Sequence, residues 1–275
     1  MTRLLTKTGR SIAIAVLVLW SIFPIAYVFL NSFKTPRDIL TFPPSFLFVP
    51  TLTNYADLAR SFPAFFNHMA NSFVIAACAT VLSIFAAALA GYVYSRYRSS
   101  RLAASAFYLV AIRLLPPLVT TIPLFPWVNQ LGLADTRTIL ILLYAAFWVS
   151  MNTLVMKEFI DRIPITLDEA AVIDGASEAT LFTKVILPLA AQGMVACAVF
   201  VFVFSWNEYL YAFIFVIQNA KTTPLILSEI MDSVTGTNYG VLFAAATAQM
   251  IPVLTLVMLL QRFLIAGLTA GAVKE

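Results

Sequence analysis

Four stretches of this chain run for a membrane-crossing length without a charged side chain: Ile12–Leu30, Ser72–Ser95, Thr138–Met156 and Gly240–Gln261. An α-helix needs about 20 consecutive apolar residues to cross the hydrocarbon core. Two further stretches are apolar but interrupted. Leu102–Leu131 carries Arg113 and the prolines Pro116, Pro117, Pro123 and Pro126, and Val185–Asn207 continues past Glu208 to Ile217. The expectation is an all-α, polytopic membrane helical bundle of about six spans. The spans fall near 12–30, 72–95, 102–131, 138–156, 185–217 and 240–261, and residues 1–275 form a single transmembrane domain. The first run reads as a retained span, since it is long for a signal sequence and no small-x-small cleavage site follows it.

Composition agrees with this reading. Charged residues make up 11% of the chain and apolar ones 61%, whereas soluble domains carry roughly 25% charged residues. The mean hydropathy of +0.91 also excludes a membrane β-barrel, whose strands alternate apolar and polar residues.

The few charges are informative by position. With the N-terminus inside, the internal basic residues are Arg3, Lys7, Arg10, Arg96, Arg98, Arg101, Lys157, Arg162, Lys184, Arg262 and Lys274. Only Lys34, Arg37, Arg60, Arg137 and Lys221 fall outside, and Arg113 lies within a span. The bias places both termini in the cytoplasm. It accounts for the net charge of +4 through topology, without nucleic acid. Cys78 and Cys197 sit singly in apolar runs and His68 is the only histidine, so neither a disulfide nor a metal site is expected.

Two loops are long. Asn31–Asn71, external, is rich in proline and aromatic residues and too apolar for a free linker. It is expected to lie along the membrane face. Lys157–Lys184, internal, gathers Glu158, Asp161, Asp168, Glu169, Asp174 and Glu178. Acids contribute little to orientation, so this cluster asks for another reason. Thr166-Leu167-Asp168-Glu169 fits a capping box that would start a helix. Gly175 fits a left-handed stop, Ser177 a second N-cap, and Pro188 a kink or an end. The expected result is a short helix, a sharp turn and a second helix leading into the fifth span. Ala170 and Ala171 give the first helix a small, flat face.

The string Glu169-Ala170-Ala171, three residues, Gly175, nine residues, Val185-x-Leu187-Pro188 resembles the EAA loop of ABC importer permeases. Val185 replaces the family's isoleucine, and Gln192 stands where members often carry a further proline. The resemblance extends along the chain. It includes Asn31-Ser32-Phe33-Lys34, Thr53-Asn54-Tyr55, Asn71-Ser72 and Pro116-Pro117 with Ile122-Pro123-Leu124-Phe125 and Leu131-Gly132-Leu133. It continues through Ser205-Trp206-Asn207-Glu208, Gln261-Arg262 and the stretch from Ala266 to Lys274. Together these are similar to the shorter permease subunit of maltose-transporter-type carbohydrate importers.

That resemblance implies a mechanism and a set of partners. The EAA helix would dock into a groove on a cytoplasmic ATPase subunit, and ATP-driven closure of two ATPases would switch the permease between inward- and outward-facing states. Glu169, Ala170, Ala171, Asp174, Gly175, Ala176, Phe182, Leu187 and Pro188 form the coupling element. Glu169 is a helix N-terminal anion and a partner for a basic group on the ATPase. Phe182 and Leu187 pin the second helix to the spans. The other implied partners are a second homologous permease, an extracytoplasmic solute-binding protein that meets the external aromatic loops, a sugar-like substrate and membrane lipids. A bacterial inner membrane follows from the family. No cofactor is expected in this chain: it has no G-x-x-x-x-G-K-[ST] phosphate loop, so ATP would be bound by the partner ATPases.

Substrate-path candidates are Arg113, a cation within a span and therefore a functional hypothesis by default, and Trp206, Asn207, Glu208 and Tyr209. Aromatic rings stack on sugar faces, and amides and carboxylates bind hydroxyls. The same residue types also populate interfacial belts or hold one span against a partner. An intramembrane enzyme is the main alternative class, but His68 lies outside the spans and no nucleophile-and-base set accompanies it. A secondary transporter would show intramembrane acids and broken helices in two related halves, and no repeat is evident.

Overall fold

A computed structural model describes residues 2–232 and 236–269, with side chains at 9–232 and 236–261. The C-terminal motif from Ala266 to Lys274 falls outside the described side chains, as do Arg3, Lys7 and Arg262. The helices are α1 (Thr2–Asn31), α2 (Pro36–Ile39), α3 (Thr53–Ser61), α4 (Phe65–Arg96), α5 (Ser100–Ala111), α6 (Pro117–Gln130) and α7 (Arg137–Asp161). They continue with α8 (Ile165–Ile173), α9 (Glu178–Leu181), α10 (Leu187–Leu189), α11 (Ala191–Trp206), α12 (Leu210–Phe215), α13 (Thr223–Met231) and α14 (Tyr239–Thr269). No strand occurs among the described residues.

Within α1, α4, α7 and α14 lie 4 helical segments long and apolar enough to cross a membrane, and the number rises to 6 if each of two bent pairs is one span. The bends fall in the two stretches that the sequence interrupts, 102–131 and 185–217. α5 with the 3₁₀ turn Ile112–Leu114 meets α6 at 95°. Pro116 excludes Leu115 from the helical region, and Leu115 is accordingly extended at φ −74, ψ 125. In the fifth span, α9 passes through a π turn at Phe182–Ile186 into α10, and this segment meets α11 at 72°. Pro188 has no N–H to give a preceding carbonyl. The chain leaves helix again at Asn207, so the expected continuation to Ile217 is the separate short helix α12.

The chain divides into two compact units, Met1–Phe66 with Ile226–Pro252, and Asn67–Leu225 with Val253–Glu275. In the first unit, the Asn31–Lys34 and Thr53–Tyr55 motifs bind each other. The buried Asn54 side chain donates to the carbonyls of Ser32 at 2.8 Å and Lys34 at 2.7 Å. Tyr55 and Ser32 share a hydroxyl hydrogen bond of 2.8 Å, and the Phe33 and Tyr55 rings lie 5.4 Å apart. A Cβ on Gly240 would sit 2.1 Å from Asn54 Oδ1, so only glycine admits this contact. Lys34 is buried with its ammonium over the Phe48 ring at 5.2 Å and the Tyr27 ring at 5.9 Å, a cation–π arrangement.

In the second unit, α4 and α7 pack backbone to backbone. A Cβ on Gly91 would stand 2.8 Å from Met156 Cβ and 3.0 Å from Lys157 N. α11 joins α7 at Gly193, whose missing side chain leaves room for the Phe159 ring. One apolar cluster collects Ile75, Leu140, Tyr144, Tyr211 and Phe215. A second collects Tyr92, Met156, Ile160, Ile163, Leu181, Phe182 and Ile186 where the 157–184 loop meets the long helices.

Candidate functional site

The loop carrying the E-A-A string forms the expected helix, turn and second helix, with a different start. α8 begins at Ile165 behind Pro164, two residues earlier than a Thr166 cap would set it. Pro164 supplies the fixed φ of a helix entry, and Thr166 lies inside the first turn. The capping box therefore does not form, and Asp168 turns inward to another partner.

The C-terminal stop is as read. Gly175 has φ +81, its N–H bonds the Val172 carbonyl at 3.0 Å, and the Ala176 N–H bonds the Ala171 carbonyl at 2.9 Å. These two bonds make a Schellman motif, with Asp174 as the helix C-cap. Ser177 then caps α9, accepting from the Thr180 N–H at 3.3 Å.

Ala171 packs on the apolar cluster beneath, and Phe182 is buried against Tyr92 with ring centroids 5.4 Å apart. Leu187 is half-buried on the same cluster, and Pro188 is exposed at the bend. Glu169 and Ala170 face outward. Beside them stand Ile165, Leu167, Val172 and Ile173, the last 84% exposed. Glu169 and Ala170 thus stand within an exposed apolar face.

Asp168 is the buried acid of this helix. Its Oδ2 accepts from Arg96 Nε at 2.6 Å and its Oδ1 from Arg96 Nη2 at 3.3 Å. The same guanidinium donates to the carbonyls of Ile160 at 3.3 Å and Ile163 at 3.1 Å. Nearby, Ser95 donates to Asp161 at 2.6 Å and Lys157 pairs with Asp161. Tyr97 donates to Glu178 at 2.8 Å, which holds its phenol above the usual pKa. In sequence Arg96 was informative only for its sign. The pair spans 72 positions, so no local spacing could have shown it.

Among the substrate-path candidates, Trp206 is fully buried, stacked on Phe202 at 5.9 Å with Ala76 beneath. Asn207 is exposed and donates to the Val203 carbonyl of its own helix at 2.7 Å. Glu208 caps α12, accepting from the Tyr211 N–H at 2.9 Å and the Ala212 N–H at 3.4 Å. Tyr209 stacks on Phe213 at 5.4 Å. Arg113 lies over the Phe147 and Trp148 rings at 4.6 and 4.8 Å and donates to the Phe147 carbonyl at 3.2 Å. It borders a cavity of about 340 Å³ lined by Trp148, Asn152, Cys197, Phe200 and Phe204 among others. Arg113 borders this cavity, and residues 206–209 do not line it.

An exposed E-A-A helix that stops at Gly175 stands on a chain with several membrane-length helices. Residues 79–269 match the family described as "Binding-protein-dependent transport system inner membrane component". The chain belongs to this family. It is a multi-pass inner-membrane permease of the ABC transporter type. A probable ABC transporter permease of Sinorhizobium fredii is 33% identical, with 92% of this chain and 90% of that one aligned. A trehalose/maltose transport system permease of Thermococcus litoralis is 29% identical over 92% of this chain and 91% of that one. A crystal structure of a bacterial ABC transporter involved in import of the acidic polysaccharide alginate contains a chain of the same fold, with a TM-score of 0.77 and 20% identity. The match covers 95% of this chain and 97% of that one.

Proposed function

We propose that this permease moves a sugar, or a related polyol or glycoside, from the cell exterior or periplasm to the cytoplasm. Import is driven by two cytoplasmic ATPases that bind ATP and grip the Glu169–Ala176 element. A second homologous permease completes the membrane path, a binding protein delivers the solute on the outer side, and both termini face the cytoplasm. The observation that carries this reading is the outward presentation of Glu169 and Ala170 on α8, while Ala171 and Phe182 tie the same loop to the spans. Force applied to the exposed face is thereby delivered to α4 and α7. The carbohydrate class is supported by relatives whose names specify trehalose/maltose and alginate transport.

The test is uptake into proteoliposomes holding this chain, its partner permease and the ATPases, with binding protein outside and ATP inside. Uptake of a carbohydrate that needs both supports the reading. Uptake that persists without the ATPases points to a secondary transporter and overturns it.

A further inference from the structure

We infer that Arg96 is the positioning residue of the coupling helix, the side chain that makes α8 move with the spans. The inference rests on the proposed coupling to ATPases and adds to it the residue that transmits the motion. Arg96 is the last residue of α4. From there its guanidinium reaches three places at once: the Asp168 carboxylate on α8, the Ile160 carbonyl in the last turn of α7, and the Ile163 carbonyl in the linker between α7 and α8. The side chains of Arg96 and Asp168 are only 10% and 11% exposed, so water competes weakly for their hydrogen bonds.

The fork geometry is specific to arginine. Two N–H groups engage both carboxylate oxygens in parallel, while the guanidinium also donates to the Ile163 carbonyl and shares the Ile160 carbonyl with the Ile163 N–H. Lysine carries the charge without the fork. The floor under the clamp is rigid, since Gly91 brings α4 against Met156 on α7 and the Tyr92 ring backs Phe182. Across α8, Asp168 points inward to the clamp and Glu169 and Ala170 point outward to the docking face. One turn of helix therefore carries both the grip on the spans and the surface offered to the ATPase. A push on that surface reaches α4 through the Arg96–Asp168 fork without bending an intervening loop.

The test compares Arg96→Lys and Asp168→Asn with wild type and with Glu158→Gln, an exposed acid of the same region, in the full complex in proteoliposomes. Three quantities are read: ATPase co-purification with the permease, basal ATP hydrolysis, and solute taken up per ATP hydrolysed. The expected result is normal co-purification and hydrolysis in both variants, with solute per ATP reduced roughly fivefold or more. Glu158→Gln is expected to match wild type, and Asp168→Glu, which restores a carboxylate, to recover part of the loss. A wild-type ratio in Arg96→Lys and Asp168→Asn overturns the inference. So does loss of insertion or of ATPase binding in step with uptake, which assigns the clamp to folding alone. A wild-type complex that binds no ATPase marks failure of the coupling reading itself, and the inference falls with it.

Discussion

Asp135 holds Asn219 at both ends: its Oδ1 accepts the Asn219 backbone N–H at 2.9 Å and its Oδ2 accepts the side-chain Nδ2 at 2.8 Å. The same carboxylate also takes the N–H groups of Ile217, Gln218 and Ala220 at 3.1, 3.0 and 3.3 Å. Asn71 fastens this loop from α4, donating to the Asn219 and Lys221 carbonyls at 3.2 and 3.1 Å. Ser72 accepts the Thr223 N–H at 2.8 Å. The Asn71-Ser72 pair, inside α4, thus ties that helix to the 219–223 segment.

This arrangement makes part of the protein's stability acid-labile. Burial on its own would raise the Asp135 pKa, but the amides of Asn219, Gln218, Ile217 and Ala220 outweigh it and hold the pKa below the usual value. The folded pKa being the lower one, the stabilisation is complete above the unfolded value of about 3.9 and is lost as the pH falls through the folded value. Thermal unfolding of the purified protein should show that acid-side loss in wild type and a smaller one in Asp135→Asn, where the lowered Asp161 carboxyl still contributes. At neutral pH, Asp135→Ala should cost about 1.5–3 kcal/mol, the range for hydrogen bonds to a charged group.

Gly91→Val should destabilise the second unit by about 1–3 kcal/mol through overpacking. A Cβ already falls 2.8 Å from Met156 Cβ and 3.0 Å from the Lys157 backbone nitrogen, which cannot swing aside. Thermal unfolding in detergent measures this. Gly9→Val, at a glycine with nothing within 4 Å, is the control and should leave the melting temperature unchanged.

Gly175→Val should strain the turn by about 1–2 kcal/mol, the cost of a left-handed conformation for a residue with Cβ. The space around Gly175 is empty and its φ is +81, so the effect comes from the backbone alone. Gly175→Asn, which tolerates this region better, should lie between wild type and valine. Insertion should be normal in both, with uptake falling in the order glycine, asparagine, valine.

Much of this architecture was legible in the sequence because its causes are local. Uncharged runs mark spans, a glycine marks a helix stop, and Ser177 marks a cap. The bends at Pro116 and near Pro188 were partly legible, since proline shows where a helix breaks and not by what angle. The Arg96–Asp168 fork, the Asp135 knot and the Asn54 contact with Gly240 were not, because each joins residues that only the tertiary fold brings together. The start of α8 was misplaced for a related reason. Thr166-x-x-Glu169 has the right local pattern, but Pro164 sets the entry and Arg96 claims the acid of that turn.

Trp206 separates packing from recognition. Its complete burial against Phe202 means that Trp206→Ala should lose about 3–5 kcal/mol of stability. Trp206→Phe should fold and transport with an unchanged half-saturation concentration for the solute. A large shift in that constant, measured by uptake at graded solute, would place the indole in the path.

The most direct measurement of the central claim is cysteine crosslinking to the ATPase. With Cys78 and Cys197 replaced by alanine, single cysteines are placed at Ala170, on the exposed face of α8, and at Leu47, exposed in the first unit. The assembled complex is then treated with a short bifunctional thiol reagent against a cysteine in the ATPase groove. A crosslink from Ala170→Cys whose yield changes with ATP, and none from Leu47→Cys, is the expected result. A crosslink from Leu47→Cys, or none from Ala170→Cys in a complex that still transports, would contradict both the docking role of α8 and the assigned orientation.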